Sequence, residues 1–274
     1  QEGRESIPTS PLESHQGGSF AAGWLLDRME EADPPRPVLV EWLDIALSRK
    51  TLVHPLAILS RLNRMASDGS IELASRIATL LPRAWDLDSE GATRLEQTLL
   101  SREPLVRCSL AGALDEIIHR RGAEALPLID KLLSDESMDV IRIATSSLRL
   151  TTNLDSEGFA TRCARLVHLG DSGVSRQFAQ TTLRDYMVMH PDDRKGLTVQ
   201  LWIEGDEVVR SRLRELLLHM LEDYSASLSN ILTRISQMDG DNSLEDFWRI
   251  LEVRSAETAE AWRNHIEQGT DLPQ

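Results

Sequence analysis

Six positions fall 34 or 35 residues apart: Glu72, Arg107, Arg142, Arg176, Arg210 and Glu245. A fixed period of that length marks a repeated helical hairpin that must stack on its neighbours to bury its apolar face. Around three of the arginines the context recurs as well, an acidic turn leading into a β-branched residue and the arginine: Glu103 to Arg107, Met138 to Arg142 and Asp206 to Arg210.

Apolar spacing supports this reading along the chain. Phe20, Trp24, Leu25 and Met29 lie at helical intervals, as do Val38, Leu39, Trp42, Leu43 and Ala46, and no stretch alternates with the period of a strand. Helix-start and helix-stop residues divide the chain into seven pairs: 19–32 with 35–49, 52–66 with 70–82, 88–101 with 104–120, 122–134 with 138–150, 155–169 with 173–189, 191–204 with 206–222, and 225–238 with 242–267. Asp88-Ser89-Glu90-Gly91 and Asp155-Ser156-Glu157-Gly158 stand 67 residues apart, each offering a side chain to cap a first turn, and Ser19 and Ser243 are further candidate caps. The fold class is therefore all-α, one helical domain over 19–267. A Pro-, Ser- and Gly-rich leader (1–18) and a short tail (268–274) flank it, both expected to be flexible. Trp24 and Trp42 at one end, and Trp248 and Trp262 at the other, suit terminal covers where a neighbouring repeat is missing.

From Arg121 through Pro127, Asp135, Asp139 and Ile141-Arg142 to Ala144 and Leu148 the chain resembles a HEAT repeat: a proline in the first helix, an acidic turn, then an apolar-arginine pair followed by small residues. Val106-Arg107 and Val209-Arg210 match in their second helices. The tetratricopeptide pattern of the same period lacks its Trp, Gly-Tyr and Ala-Phe positions. The resemblance to HEAT/armadillo-like proteins implies an α-solenoid in which turn aspartates and second-helix arginines form a structural ladder, here Arg107, Arg142, Arg176 and Arg210 with Asp139 and Asp206. Seven pairs at about 8–10 Å each would present roughly 60–70 Å of concave surface. Arg176, Arg210, Arg214 and His219 are candidate binding residues on it.

Chemistry is sparse. The seven histidines include no pair four residues apart, and no HExxH, CxxC, GxxxxGK[ST] or GxGxxG occurs, so neither a metal nor a nucleotide cofactor is expected. His190, ahead of Pro191-Asp192-Asp193, reads as a helix-boundary residue, and paired carboxylates such as Asp192-Asp193 read as solvated helix ends. Cys108 and Cys163 are too few for a disulfide framework and point to a cytoplasmic protein, and no apolar run reaches the roughly 20 residues of a membrane span.

With 44 acidic and 30 basic residues the formal charge is −14, a field that disfavours nucleic acid and anionic membranes and suits a protein partner with a basic patch. The expectation is a non-catalytic protein-binding scaffold. Beside it stand a regulatory or sensor domain of a larger signalling protein, for instance one linked to an NTPase, and by analogy of fold a DNA alkyl-base glycosylase or a bilin lyase. The 4% aromatic content and acidic balance argue against a base-flipping groove.

Overall fold

The computed structural model describes residues 17–32, 35–48, 54–239 and 244–268, and among them secondary structure is helical with no strand. Most of the leader and tail, and the Ser243 cap, lie outside the described residues. The chain divides into two compact units, Gln1–Ala125 and Leu126–Gln274, where one array was expected. The division cuts the best HEAT-like stretch. There Gly122, at φ 56, ends the preceding helix, and a 3-10 turn over Gly122–Ala125 replaces the start of the expected 122–134 helix.

The first unit contains α1 (Gly17–Glu31), α2 (Pro37–Leu47), α3 (Pro55–Asp68), α4 (Ile71–Ala78), α5 (Leu81–Leu87), α6 (Ser89–Leu100), α7 (Pro104–Gly112) and α8 (Leu114–Arg121). Helix α3 packs on α1, α4 and α6, α4 on α7, and α5 on α2 and α8. The second unit contains α9 (Leu126–Leu132), α10 (Met138–Ser147), α11 (Ser156–His168), α12 (Ser172–Thr181), α13 (Leu183–Met189), α14 (Leu197–Glu204), α15 (Glu207–Asp223), α16 (Ser225–Asp239), α17 (Glu245–Arg254) and α18 (Ala256–Gln268). In it α12 packs on α10 and α15, and α14 on α11 and α16.

Within each unit, side chains join residues 32 to 37 positions apart. In the first, Thr98 Oγ1 meets Asn63 Oδ1 at 2.7 Å, and Arg64 Nη2 meets Glu30 Oε1 at 2.6 Å. In the second, Arg162 Nε meets Asp130 Oδ1 at 2.7 Å, and the buried Thr182 hydroxyl donates to Thr145 O at 3.2 Å.

Helix starts follow the expected chemistry. Asp88 and Asp155 accept from Gly91 N at 2.6 Å and Gly158 N at 3.0 Å, the same cap twice. Ser70, Asp171 and Asp206 cap α4, α12 and α15 in the same way. Ser19, by contrast, lies inside α1.

The expected second helices are mostly broken. The helix expected over 70–82 breaks at Thr79-Leu80 before Pro82, which lacks an amide donor, and others break at Ala113 and Thr182, while 148–151 tightens into a 3-10 turn. At three of these four sites a hydroxyl bonds back to the preceding turn, Thr79 to Arg76 O at 2.7 Å, Thr151 to Leu148 O at 2.8 Å and Thr181 to Gln177 O at 2.8 Å, but the same bond from Thr93 and from Thr161 leaves α6 and α11 unbroken. The single helix expected over 242–267 is two, because Ser255 is extended and caps α18 by accepting from Thr258 N at 3.2 Å. Trp248 and Trp262 are buried, whereas Trp24 and Trp42 are half-buried.

Candidate functional site

A candidate site is built around the turn after α13 in the second unit. Asp193 takes φ 42 and Gly196 φ 70, so the turn coils back on itself: Asp193 N donates to His190 O at 3.0 Å, and Gly196 N to Asp193 O at 2.7 Å. Arg234 of α16 donates from Nη1 to the same carbonyl at 3.1 Å. The left-handed conformation also turns the Asp193 carboxyl inward, to 1% exposure. There it accepts from Thr198 N at 3.1 Å and Val199 N at 3.4 Å, capping α14, and from the Tyr186 hydroxyl at 3.3 Å.

The solvated Asp192-Asp193 pair expected from the sequence is therefore half wrong, because Asp193 is a core residue. The cap also explains why α14 begins at Leu197, not at 191. Burial pushes the Asp193 carboxyl above the ordinary carboxylate range, opposed by the two amides and Arg234. Burial, and then Asp193 itself, pushes the Tyr186 hydroxyl up as well.

Over this turn lies an open cleft of about 580 Å³ between the first turns of α11 and the end of α13. Tyr186, Met189, His190, Pro191 and Ala160 give it an apolar and aromatic floor, and Ser156, Glu157, Thr161, Asp192, Arg194 and Lys195 give it polar walls. The His190 ring packs against Tyr186 and Phe159, with centroids 5.3 and 6.4 Å away, and its buried Nε2 has no hydrogen-bond partner. On the walls Arg194 pairs with Asp192, and Lys195 Nζ donates to Thr161 Oγ1 at 3.2 Å. Among the described residues Glu157 has no ion pair. A second hollow adjoins, sharing Glu157 and Thr161. In it Arg162 bridges Asp130 and Asp155, which holds the Asp155 carboxyl below its usual range after the Gly158 amide. These groups can hold an apolar side chain flanked by charge, and none forms a nucleophile-base pair.

The arginines of the 34-to-35-residue rhythm do not occupy one kind of place. Counted from the N-caps Glu103, Ser137, Asp171 and Asp206, Arg107 and Arg210 are four residues in, and Arg142 and Arg176 five. One residue is 100° of helix. Arg107, 8% exposed, donates to Arg102 O at 2.5 Å, and the half-buried Arg210 donates to Ile203 O at 2.9 Å, each to a carbonyl just before its own helix. The exposed Arg142 and Arg176 bond carboxylates instead. Arg142 reaches Asp139 in its own helix at 3.0 Å, and Arg176 reaches the α15 cap Asp206, whose carboxyl it holds low.

Among the residues expected to form a ladder, Arg176 thus reaches Asp206 at the start of another helix, and Arg142 stays with Asp139 of its own helix. Arg214, expected at a binding surface, is only 9% exposed and joins Glu207 to Asp246 of α17 at 3.2 Å. Its guanidinium serves a seam. His219 is exposed on α15, and Glu72 and Glu245 are exposed in first turns.

Other seam residues went unsignalled by the rhythm. Arg102 donates to Ala66 O, to Ser67 O at 2.7 Å and to Gly69 O at 3.1 Å, closing the end of α3. Arg83 binds Asp44 at 2.9 Å and Arg120 binds Asp86. Their signal is a carboxylate 34 to 39 residues upstream, which a search for repeated identities passes over. Burial pushes the Cys163 thiol up, away from reactivity. Among the described residues no three His, Cys, Asp or Glu are placed to hold a metal ion, and no helix is long and apolar enough to cross a membrane. No protein-family model, curated protein or solved structure matches the chain.

Proposed function

We propose that each unit is a short α-solenoid of HEAT-like hairpins, and that the chain is a non-catalytic scaffold that binds a partner protein carrying a basic patch. The observation that carries this reading is the surplus of carboxylates. In the first unit 19 acidic residues face 14 basic ones, and in the second 25 face 16, so net charge is −5 and −9. Hairpins that pack on one another through their apolar faces leave the remaining faces to a partner, and this surplus selects for positive charge. The chemistry on view supports binding over catalysis, since the buried Tyr186 and Asp193 are engaged with each other and Cys163 is a buried thiol with a raised pKa.

The test is recovery of bound protein at low ionic strength, followed by titration of the purified pair. Affinity is expected to fall steeply between about 0.05 and 0.5 M salt, as the screening length shrinks to a few ångströms. A partner held equally well at both ends of that range, or one bound through its own acidic surface, overturns the reading.

A further inference from the structure

The cleft beside α11 and α13 has both a shape and a charge imbalance, and together they specify an occupant. Over the buried Tyr186 its floor offers Met189 and Pro191 to an apolar side chain, and Met189 stays 39% exposed with Val188 beside it at 54%. Its cations already have partners: Arg194 is paired with Asp192, and Lys195 is bonded to Thr161. Glu157 lacks one among the described residues. The adjoining hollow adds Asp130 and Asp155, two carboxylates sharing the single guanidinium of Arg162. Four carboxylates thus face three cations around the two hollows, within a unit of net charge −9.

We infer that this cleft docks a short segment of a partner protein, with one large apolar side chain laid against Met189 and Pro191 and a neighbouring lysine or arginine paired with Glu157. The inference rests on the scaffold reading and names its contact site. An acidic segment would meet the unpaired Glu157 and would have to compete with Asp192 and Thr161 for the cations. A basic one meets a free carboxylate and displaces nothing. Because the Asp193 cap and Arg234 fix the turn that forms one wall, the site is organised before anything binds, which lowers the ordering cost of docking.

The experiment uses the full chain and three capped five-residue probes: a central leucine flanked by arginines, the same leucine flanked by glutamates, and an arginine-flanked alanine. Backbone amide resonances map where each binds. The arginine-leucine probe is expected to shift Thr161, His190 and Lys195, with the other two probes at least fivefold weaker. Glu157→Lys should weaken that probe about fivefold and Lys195→Glu should strengthen it about threefold, while Glu260→Lys, a charge reversal on α18, leaves it unchanged. Met189→Ser should weaken it without changing the folded spectrum.

Tighter binding of the glutamate probe, opposite signs for Glu157→Lys and Lys195→Glu, or shifts spread over other acidic surfaces would each overturn the site. The scaffold reading has its own failure, in which no basic partner is recovered at low salt. A partner recovered by a chain carrying both Glu157→Lys and Met189→Ser, with undiminished affinity, would sink the site alone.

Discussion

The two units solve the same packing problem with different materials. In the first, the largest fully buried side chains are aliphatic, among them Leu26, Met29, Leu43, Leu47, Leu59, Leu62 and Ile77. In the second they are aromatic: Phe159, Phe178, Tyr186, Trp202 and Phe247. The first ties its seams with arginine, through Arg61 and Arg64 to Glu30, Arg83 to Asp44 and Arg102 to the end of α3. The second also buries a carboxyl and a phenol against each other. Aromatic side chains with polar tips need partners within the core, and the turn that supplies one to Tyr186 also forms a wall of the cleft. The candidate site therefore falls where the core is least uniform.

The hardest blow to this contrast is a core truncation. Phe178→Ala should cost about 3–5 kcal/mol, with loss of amide-exchange protection concentrated in α10 to α16. An equal loss in α3 to α8 would show that the units do not unfold separately. Next comes the buried carboxyl. Asp193→Ala, which strips the amide cap and the Tyr186 acceptor, should cost about 2 kcal/mol by chemical denaturation, and Asp193→Asn clearly less.

The pH dependence at Asp193 has a definite sign. Its folded-state pKa lies above the unfolded one, so the folded chain holds the proton more tightly, and stability falls as pH rises from the ordinary aspartate range through the folded value. Asp193→Asn should remove that slope.

The arginine registers give a smaller effect. Arg107→Met should cost about 1–2 kcal/mol, and Arg142→Met under about 0.5 kcal/mol. Equal costs would erase the distinction between a buried carbonyl partner and an exposed carboxylate one. The smallest effect belongs to Glu30, whose carboxyl Arg61 and then Arg64 hold below its usual range against some burial. Its contribution is present above the ordinary glutamate range and fades as pH falls through the folded value, a slope opposite to that of Asp193. Glu30→Gln should flatten the acid limb of the first unit by a few tenths of a kcal/mol.

The helical class was legible because apolar spacing and caps are local signals, and the paired caps Asp88 and Asp155 fall where the repeated tetrapeptide placed them. The arginine rhythm was legible but ambiguous. The arginines read as one column in a sequence, yet Arg107 and Arg142 are 35 residues apart while their helix caps Glu103 and Ser137 are 34 apart, and that one residue turns the two side chains 100° from each other on their helices. The helix breaks carry no local signal of their own: Thr79 and Thr181 bond back to the preceding turn at two of them, Thr93 and Thr161 do the same within unbroken helices, and α15, equally rich in helix formers, runs unbroken for 17 residues. The cleft was the least legible part. Its His190 and Asp192 were noticed only as boundary residues, and the burial of Asp193 depends on a positive φ that the residue type permits without demanding.

The interrupted helices also bear on how such a chain tolerates change. An extra residue inserted in one arm of α12 and α13 is absorbed at the joint near Thr182, so the other arm keeps its buried stripe against its neighbours. In α15 the same insertion would swing everything beyond it by 100° and bring Leu213, Leu217 and Met220 out of the core. Length variation should therefore be borne by the jointed helices and refused by the straight one.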